Sequence, residues 1–151
     1  GTMGRGPAGS LHAPAPLVDL PVPEIALLDS GTKDNGRIIR LRVVPAGDGH
    51  MVRLWASGPV VESASIEGRR AGSEAPRSKV PATWEFGFLN APGDGFMIDL
   101  TCRGGQPLSM VALDLAPGLP RALASGQTPR PADLMPIQFG DSTAVRRAFV
   151  F

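Results

Sequence analysis

Tyrosine is absent, cysteine occurs once, histidine occurs twice, and no stretch is apolar for long, and each shortage removes a class of protein. The two imidazoles, His12 and His50, cannot build the histidine-rich ligand sets of zinc hydrolases, so metal catalysis by this chain alone is excluded and no cofactor is expected. The lone Cys102 rules out an internal disulfide; set in an alternating apolar stretch, it reads as a buried structural thiol. No run approaches the roughly 18 apolar residues of a membrane-spanning helix, and no charged start leads into an apolar signal core, so neither a transmembrane segment nor self-directed secretion is expected. A formal charge of +1, without any run of Lys and Arg interleaved with aromatics, leaves too little positive charge to neutralise several phosphates. Nucleic acid is excluded as a partner.

What is abundant is punctuation. The chain holds 19 Gly and 16 Pro, together more than a fifth of its 151 residues, while hydrophobic residues stand at an ordinary 42%. Inside a helix Gly costs about 1 kcal/mol and Pro about 3 kcal/mol, so short strands joined by turns are favoured over helices. A chain of this length buries most of its unfolded surface in one core, and a single domain is expected.

Residues 1–10 are small and polar, and the opening Gly-Thr-Met has the look of a cloning remnant, so disorder is expected there. Prolines at 14, 16, 21 and 23 make residues 12–23 an extended linker leading into a domain spanning 24–151. Strand signals then follow in series. Glu24 to Asp29 ends at a polar turn cluster, Ser30 to Gly36. Arg37 to Val44 sets Ile39, Leu41 and Val43 on one face against Ile38, Arg40 and Arg42, the period-2 pattern of a half-buried strand. After Pro45, Met51 to Ala56 opposes Val52 and Leu54 to Arg53 and Trp55, and a hairpin between these two strands is expected. Val60 to Glu67 gives another strand before a polar loop, Gly68 to Lys79, that should be mobile.

Ala82 to Leu89 sets Trp84, Phe86 and Phe88 on one face, and Phe96, Ile98, Leu100 and Cys102 share a face of the next strand; these seven are the expected core nucleus. Leu108 to Leu115 supplies a further apolar strand. Prolines 117, 120, 129, 131 and 136 make Ala116 to Thr143 an irregular Pro-rich strap, and Ala144 to Phe151 can pair as a last strand, docking Val145, Phe149 and Phe151. Regularly spaced short strands point to an all-β fold, a single antiparallel β-sandwich of immunoglobulin-like or jelly-roll kind.

Little in the chain carries chemistry. His50 beside Asp48 sits in a Gly-rich turn that solvent explains better than nucleophile orientation. Phe139-Gly140-Asp141-Ser142 resembles the nucleophile block of Gly-Asp-Ser esterases, which place it near the N-terminus and need a histidine far downstream; only nine residues follow Ser142, none of them His. Asp141, Ser142 and Thr143 read instead as a turn whose side chains accept backbone N–H bonds. No phosphate loop, dinucleotide fingerprint, EF-hand or cysteine pair is present. The surface candidates are Arg40, Arg42 and Arg53 with Trp55, a cationic and aromatic patch for a protein, peptide or sugar partner if their two strands are adjacent. Trp84, sharing its face with Phe86 and Phe88, reads as core rather than as a ligand platform.

Several scattered segments carry one resemblance. They are Ala13-Pro14 and Val22-Pro23, Arg37 to Val43, Val60 to Gly68, Trp84-Glu85-Phe86, Gly95 to Leu100, Gly118-Leu119-Pro120, Arg130-Pro131 to Met135-Pro136, and Asp141-Ser142-Thr143 with the closing strand. Together, over residues 13–151, the chain resembles the β-sandwich domain that follows the catalytic domain in some family-28 zinc metallopeptidases, of the aminopeptidase-like and vacuolar-membrane-protease-like type. The resemblance implies an extracytoplasmic, non-catalytic accessory domain partnered by its parent peptidase domain. The family's zinc ligands and catalytic acid belong to that preceding domain, so none carries over. A stand-alone carbohydrate- or protein-binding module using Trp55 and its arginines is the alternative.

Overall fold

A computed structural model describes residues 4–5, 11–12, 17–33, 36–47, 51–71, 83–120 and 142–151. Two short strands, β1 (Gly4–Arg5), inside the segment 1–10 expected to lack structure, and β2 (Leu11–His12), at the start of the expected linker, pair with each other. The sandwich itself is built from β3 (Glu24–Lys33), β4 (Gly36–Val44), β5 (Met51–Ser57), β6 (Val60–Ile66), β7 (Arg69–Ala71), β8 (Trp84–Leu89), β9 (Phe96–Arg103), β10 (Ser109–Pro117) and β11 (Ser142–Val150). They form a five-stranded sheet in the order β3-β4-β9-β6-β7 and a four-stranded sheet in the order β11-β10-β5-β8, with every pairing antiparallel. No helix occurs among the described residues. The fold is an all-β antiparallel sandwich.

Alternation decides which face each strand buries. Ile39, Leu41 and Val43 of β4 and Phe96, Ile98, Leu100 and Cys102 of β9 point inward from the first sheet, against Val52, Leu54 and Ala56 of β5, Trp84 of β8 and Met110 and Ala112 of β10 from the second. Side chains of the two inner faces thereby fill a single core. Of the seven residues expected at its centre, Phe86 and Phe88 are only half-buried. The opposing edge strand, β7, has three residues and leaves those two rings partly uncovered.

The expected hairpin between Arg37–Val44 and Met51–Ala56 does not form. β4 pairs with β3 and β9, β5 pairs with β8 and β10, and the chain crosses between sheets at Pro45 to Gly47. Pro45 is buried and has no N–H to continue the ladder, and the next amide, Ala46, donates to the Asp114 carboxylate instead. Boundaries also moved. β3 runs through the expected turn cluster to Lys33, pairing it with Gly36 and absorbing an extra residue in a bulge between Leu27 and Asp29. β7 forms at the start of the expected Gly68–Lys79 loop, where Glu67 and Gly68 both adopt positive φ, as a tight two-residue hairpin turn demands. Residues 72–79 of that loop, Ala82 of the strand expected after it, and residues 121–141 of the expected strap lie outside the described residues. The closing strand starts two residues early, so Ser142 and Thr143 belong to β11, and the Thr143 hydroxyl donates to the Gly118 carbonyl at 2.7 Å rather than accepting from a backbone amide.

Candidate functional site

The four residues expected to form one surface patch are divided between the two sheets. Arg40 and Arg42 stand on the outer face of the five-stranded sheet, on β4; Arg53 and Trp55 stand on the outer face of the four-stranded sheet, on β5. The contiguous patch depended on the β4–β5 hairpin and is lost with it. Arg40 makes a bidentate pair with Asp99 at 2.7 and 3.3 Å, and that hydrogen bond and charge push its pKa still further up. Arg42 donates to the Asp94 carbonyl at 2.7 Å. Arg53 is held by Glu85 at 2.5 Å and lies over the Trp55 ring, 5.5 Å from its centre. Trp55 is only 8% exposed, and its buried indole N–H has no partner among the described residues. A tryptophan so covered offers no open face for a sugar to stack on.

A cavity of about 250 Å³ opens instead at the end where residues 17–23 meet the sandwich, called the proximal end below. Leu20 and Pro21 approach it from that segment, Ala46 and Gly47 from the β4–β5 crossing, Ala116 to Pro120 from the end of β10, and Thr143 and Val145 from β11. The lining is apolar with one charged exception. Asp114 falls on the inner face of β10 in step with Met110 and Ala112, and it is 3% exposed. Its Oδ2 accepts the Ala46 amide at 2.5 Å, the carboxylate's only hydrogen bond within the described residues. Burial pushes the Asp114 carboxyl up from its ordinary range, and the Ala46 hydrogen bond opposes that shift. An acidic residue in phase with a buried apolar face was the available sequence signal, and reading 108–115 simply as an apolar strand passed over it.

A second hollow, of about 480 Å³, lies along the side of the sandwich between β7 and β8. Phe86, Phe88, Ile66 and Ala71 line it, and Glu67, Arg69 and Arg70 stand at its rim. Glu67 is held in its positive-φ conformation by bonding Met97 twice: its amide donates to the Met97 carbonyl and its side chain accepts the Met97 amide.

Among the described residues no three or more His, Cys, Asp or Glu side chains group to hold a metal ion. Cys102 is fully buried on β9, and burial pushes its thiol up from the ordinary value, with Arg37 opposing and Glu62 adding to the shift. A thiol so placed is a poor nucleophile. Among the described residues, no helix is long and apolar enough to cross a membrane. Strand order and core together define the class, an antiparallel β-sandwich whose distinctive features are the Asp114 cavity and the half-open aromatic side. Comparison with protein-family models, with curated proteins and with solved structures finds no match to this chain.

Proposed function

We propose that this chain is a non-catalytic accessory domain of a larger extracytoplasmic zinc peptidase, packing on its parent catalytic domain through the proximal end. One observation supports the docking: large apolar side chains stay exposed around that end. Leu119 is more than a third exposed in the cavity lining, Leu17 and Val22 are exposed in the segment that brings Leu20 and Pro21 to it, and Leu89 is exposed where β8 ends. An apolar group left in water at the point where an upstream domain would attach is what a domain interface leaves behind. The peptidase assignment rests on the resemblance carried by residues 13–151.

The test has two parts. The natural reading frame upstream of Ala13 is expected to encode a zinc-peptidase domain, and that domain, prepared separately, to bind this chain. Leu17→Asp and Leu119→Asp should each weaken that binding by about tenfold or more, since burying one leucine is worth roughly 1.5–3 kcal/mol and 1.4 kcal/mol is tenfold. Chelator-sensitive peptide cleavage by this chain alone, or an upstream frame without a peptidase, overturns the proposal.

A further inference from the structure

We propose that the proximal cavity is a binding site for a primary ammonium carried on a short apolar stem, with Asp114 as its counter-ion. The cavity joins two features that an empty packing defect need not combine. Its walls are the apolar groups of Leu20, Pro21, Leu119, Pro120 and Val145, and the single acidic side chain among the described lining residues is a carboxylate 97% removed from solvent. Burying a carboxylate without a compensating charge is costly, and a bound cation relieves that cost. An ionised carboxylate can accept about four hydrogen bonds. Among the described residues Asp114 receives one, on Oδ2 from Ala46, and the nearby Thr143 hydroxyl is turned away to donate to the Gly118 carbonyl. The second oxygen is left to meet a ligand.

The chemistry narrows the cation. A divalent metal wants about six or more oxygen ligands, and one carboxylate among apolar walls cannot supply them. A guanidinium carries five N–H donors in a rigid fork, and one carboxylate among apolar walls leaves most of them unmet. An ammonium is a compact point charge with three donors, one of which can meet the free Asp114 oxygen while the others face the open mouth of the cavity, and its alkyl stem matches the apolar walls. At about 250 Å³ the cavity is smaller than the roughly 300–1,000 Å³ of drug-sized pockets, which suits a ligand such as a short alkylamine or a lysine side chain.

The site stands apart from the accessory-domain reading, because it is tested on this chain alone. n-Pentylammonium, 1-pentanol and pentanoate are titrated into the isotope-labelled protein while the amide resonances of Ala46, Asp114 and Thr143 are followed. Pentylammonium is expected to shift them saturably, with an affinity about tenfold or more above that of pentanol, and pentanoate to leave them in place. Asp114→Asn keeps an acceptor for the Ala46 amide and should bring the preference for ammonium over alcohol below about twofold. Nα-acetyl-lysine N-methylamide separates the two sources: tighter binding than pentylammonium identifies a peptide lysine, weaker binding a free amine. Equal binding of pentanol and pentylammonium by the unaltered protein, no saturable shift with pentylammonium, or unchanged preference in Asp114→Asn overturns the proposal.

Discussion

Removal of the last four residues, Ala148 to Phe151, is expected to destabilise the domain far more than the loss of an ordinary chain end. β11 pairs with β10 along its whole length, Phe149 and Phe151 stack at 6.2 Å against the core, and Leu108 and Phe151 exchange both of their backbone hydrogen bonds at 2.9 Å. Each partly buried ring contributes about half of the roughly 1.5–3 kcal/mol of a fully buried one. Each backbone bond adds about 1 kcal/mol. The loss comes to about 4 kcal/mol, from a total stability of roughly 5–15 kcal/mol for a domain of this kind. At about 2–4 °C per kcal/mol for this size, the midpoint in a calorimetric melt should fall by about 10 °C. The double variant Phe149→Ala with Phe151→Ala keeps the backbone bonds and should lose roughly half as much, separating packing from strand pairing. A truncated chain that melts within about 2 °C of the full one refutes the reasoning, since a shift that small corresponds to less than about 1 kcal/mol.

Three further outcomes are expected. Asp114→Asn should melt higher than the unaltered protein at neutral pH: with its folded pKa raised, Asp114 favours folding below the ordinary carboxylate range and loses that contribution as pH rises through the raised value, so the gap should close in acid and a pH-independent gap would contradict it. Gly95→Ala should cost roughly 1–3 kcal/mol in denaturant titration, because Gly95 sits at φ +94° and an added Cβ would meet the Val43 carbonyl oxygen at 2.5 Å; an unchanged midpoint would show that the turn can shift. Cys102 should resist a thiol reagent in the native state and react fully in denaturant, whereas prompt native labelling would contradict its burial.

How far the sequence reveals this fold depends on what alternation encodes. Period-2 patterning reports which side chains share a face, and it placed Ile39, Leu41 and Val43, and likewise Phe96, Ile98, Leu100 and Cys102, on the buried side where the structure has them. It carries no information on which of two sheets a strand joins. β4 and β5 have equally good inner faces, so sequence proximity argued for a hairpin where the chain crosses the sandwich, and the surface patch of Arg40, Arg42, Arg53 and Trp55 was dispersed by that one difference in pairing. Exposure on an outer face is equally hard to read. Trp55 alternates outward yet is buried, with Arg53 lying over its ring. The cavity was the least legible feature, since its walls come from segments as far apart as Leu20, Ala46, Pro117 and Val145, which only the folded topology brings together.

The two ends of the sandwich differ in a way that bears on where a partner would fit. At the distal end the chain meets several of its own polar groups: the Arg37 guanidinium reaches the carbonyls of Gln106 and Phe151, and the Thr83 hydroxyl lies within donating distance of those of Ala56 and Pro59, while the buried Arg37 Nε and the Trp84 indole N–H have no partner among the described residues. Few large apolar side chains are left over there, chiefly Val60 and Val150, each on a separate sheet. The proximal end has the Ala46–Asp114 and Thr143–Gly118 bonds around the cavity, with Leu119 exposed in its lining and Leu17 and Val22 exposed in the segment that carries Leu20 and Pro21 to it. Apolar surface left in water beside the cavity is stabilised when something covers it, and covering the cavity would also remove the remaining solvent from Asp114. A neutral apolar cover would therefore raise the cost of the Asp114 charge, while a cover that delivers an ammonium would lower it. The same carboxylate that disfavours a purely hydrophobic cover thus favours a basic one, and if the lysine amide binds more tightly than pentylammonium, a docking partner for this end is expected to present a lysine at the centre of an apolar patch.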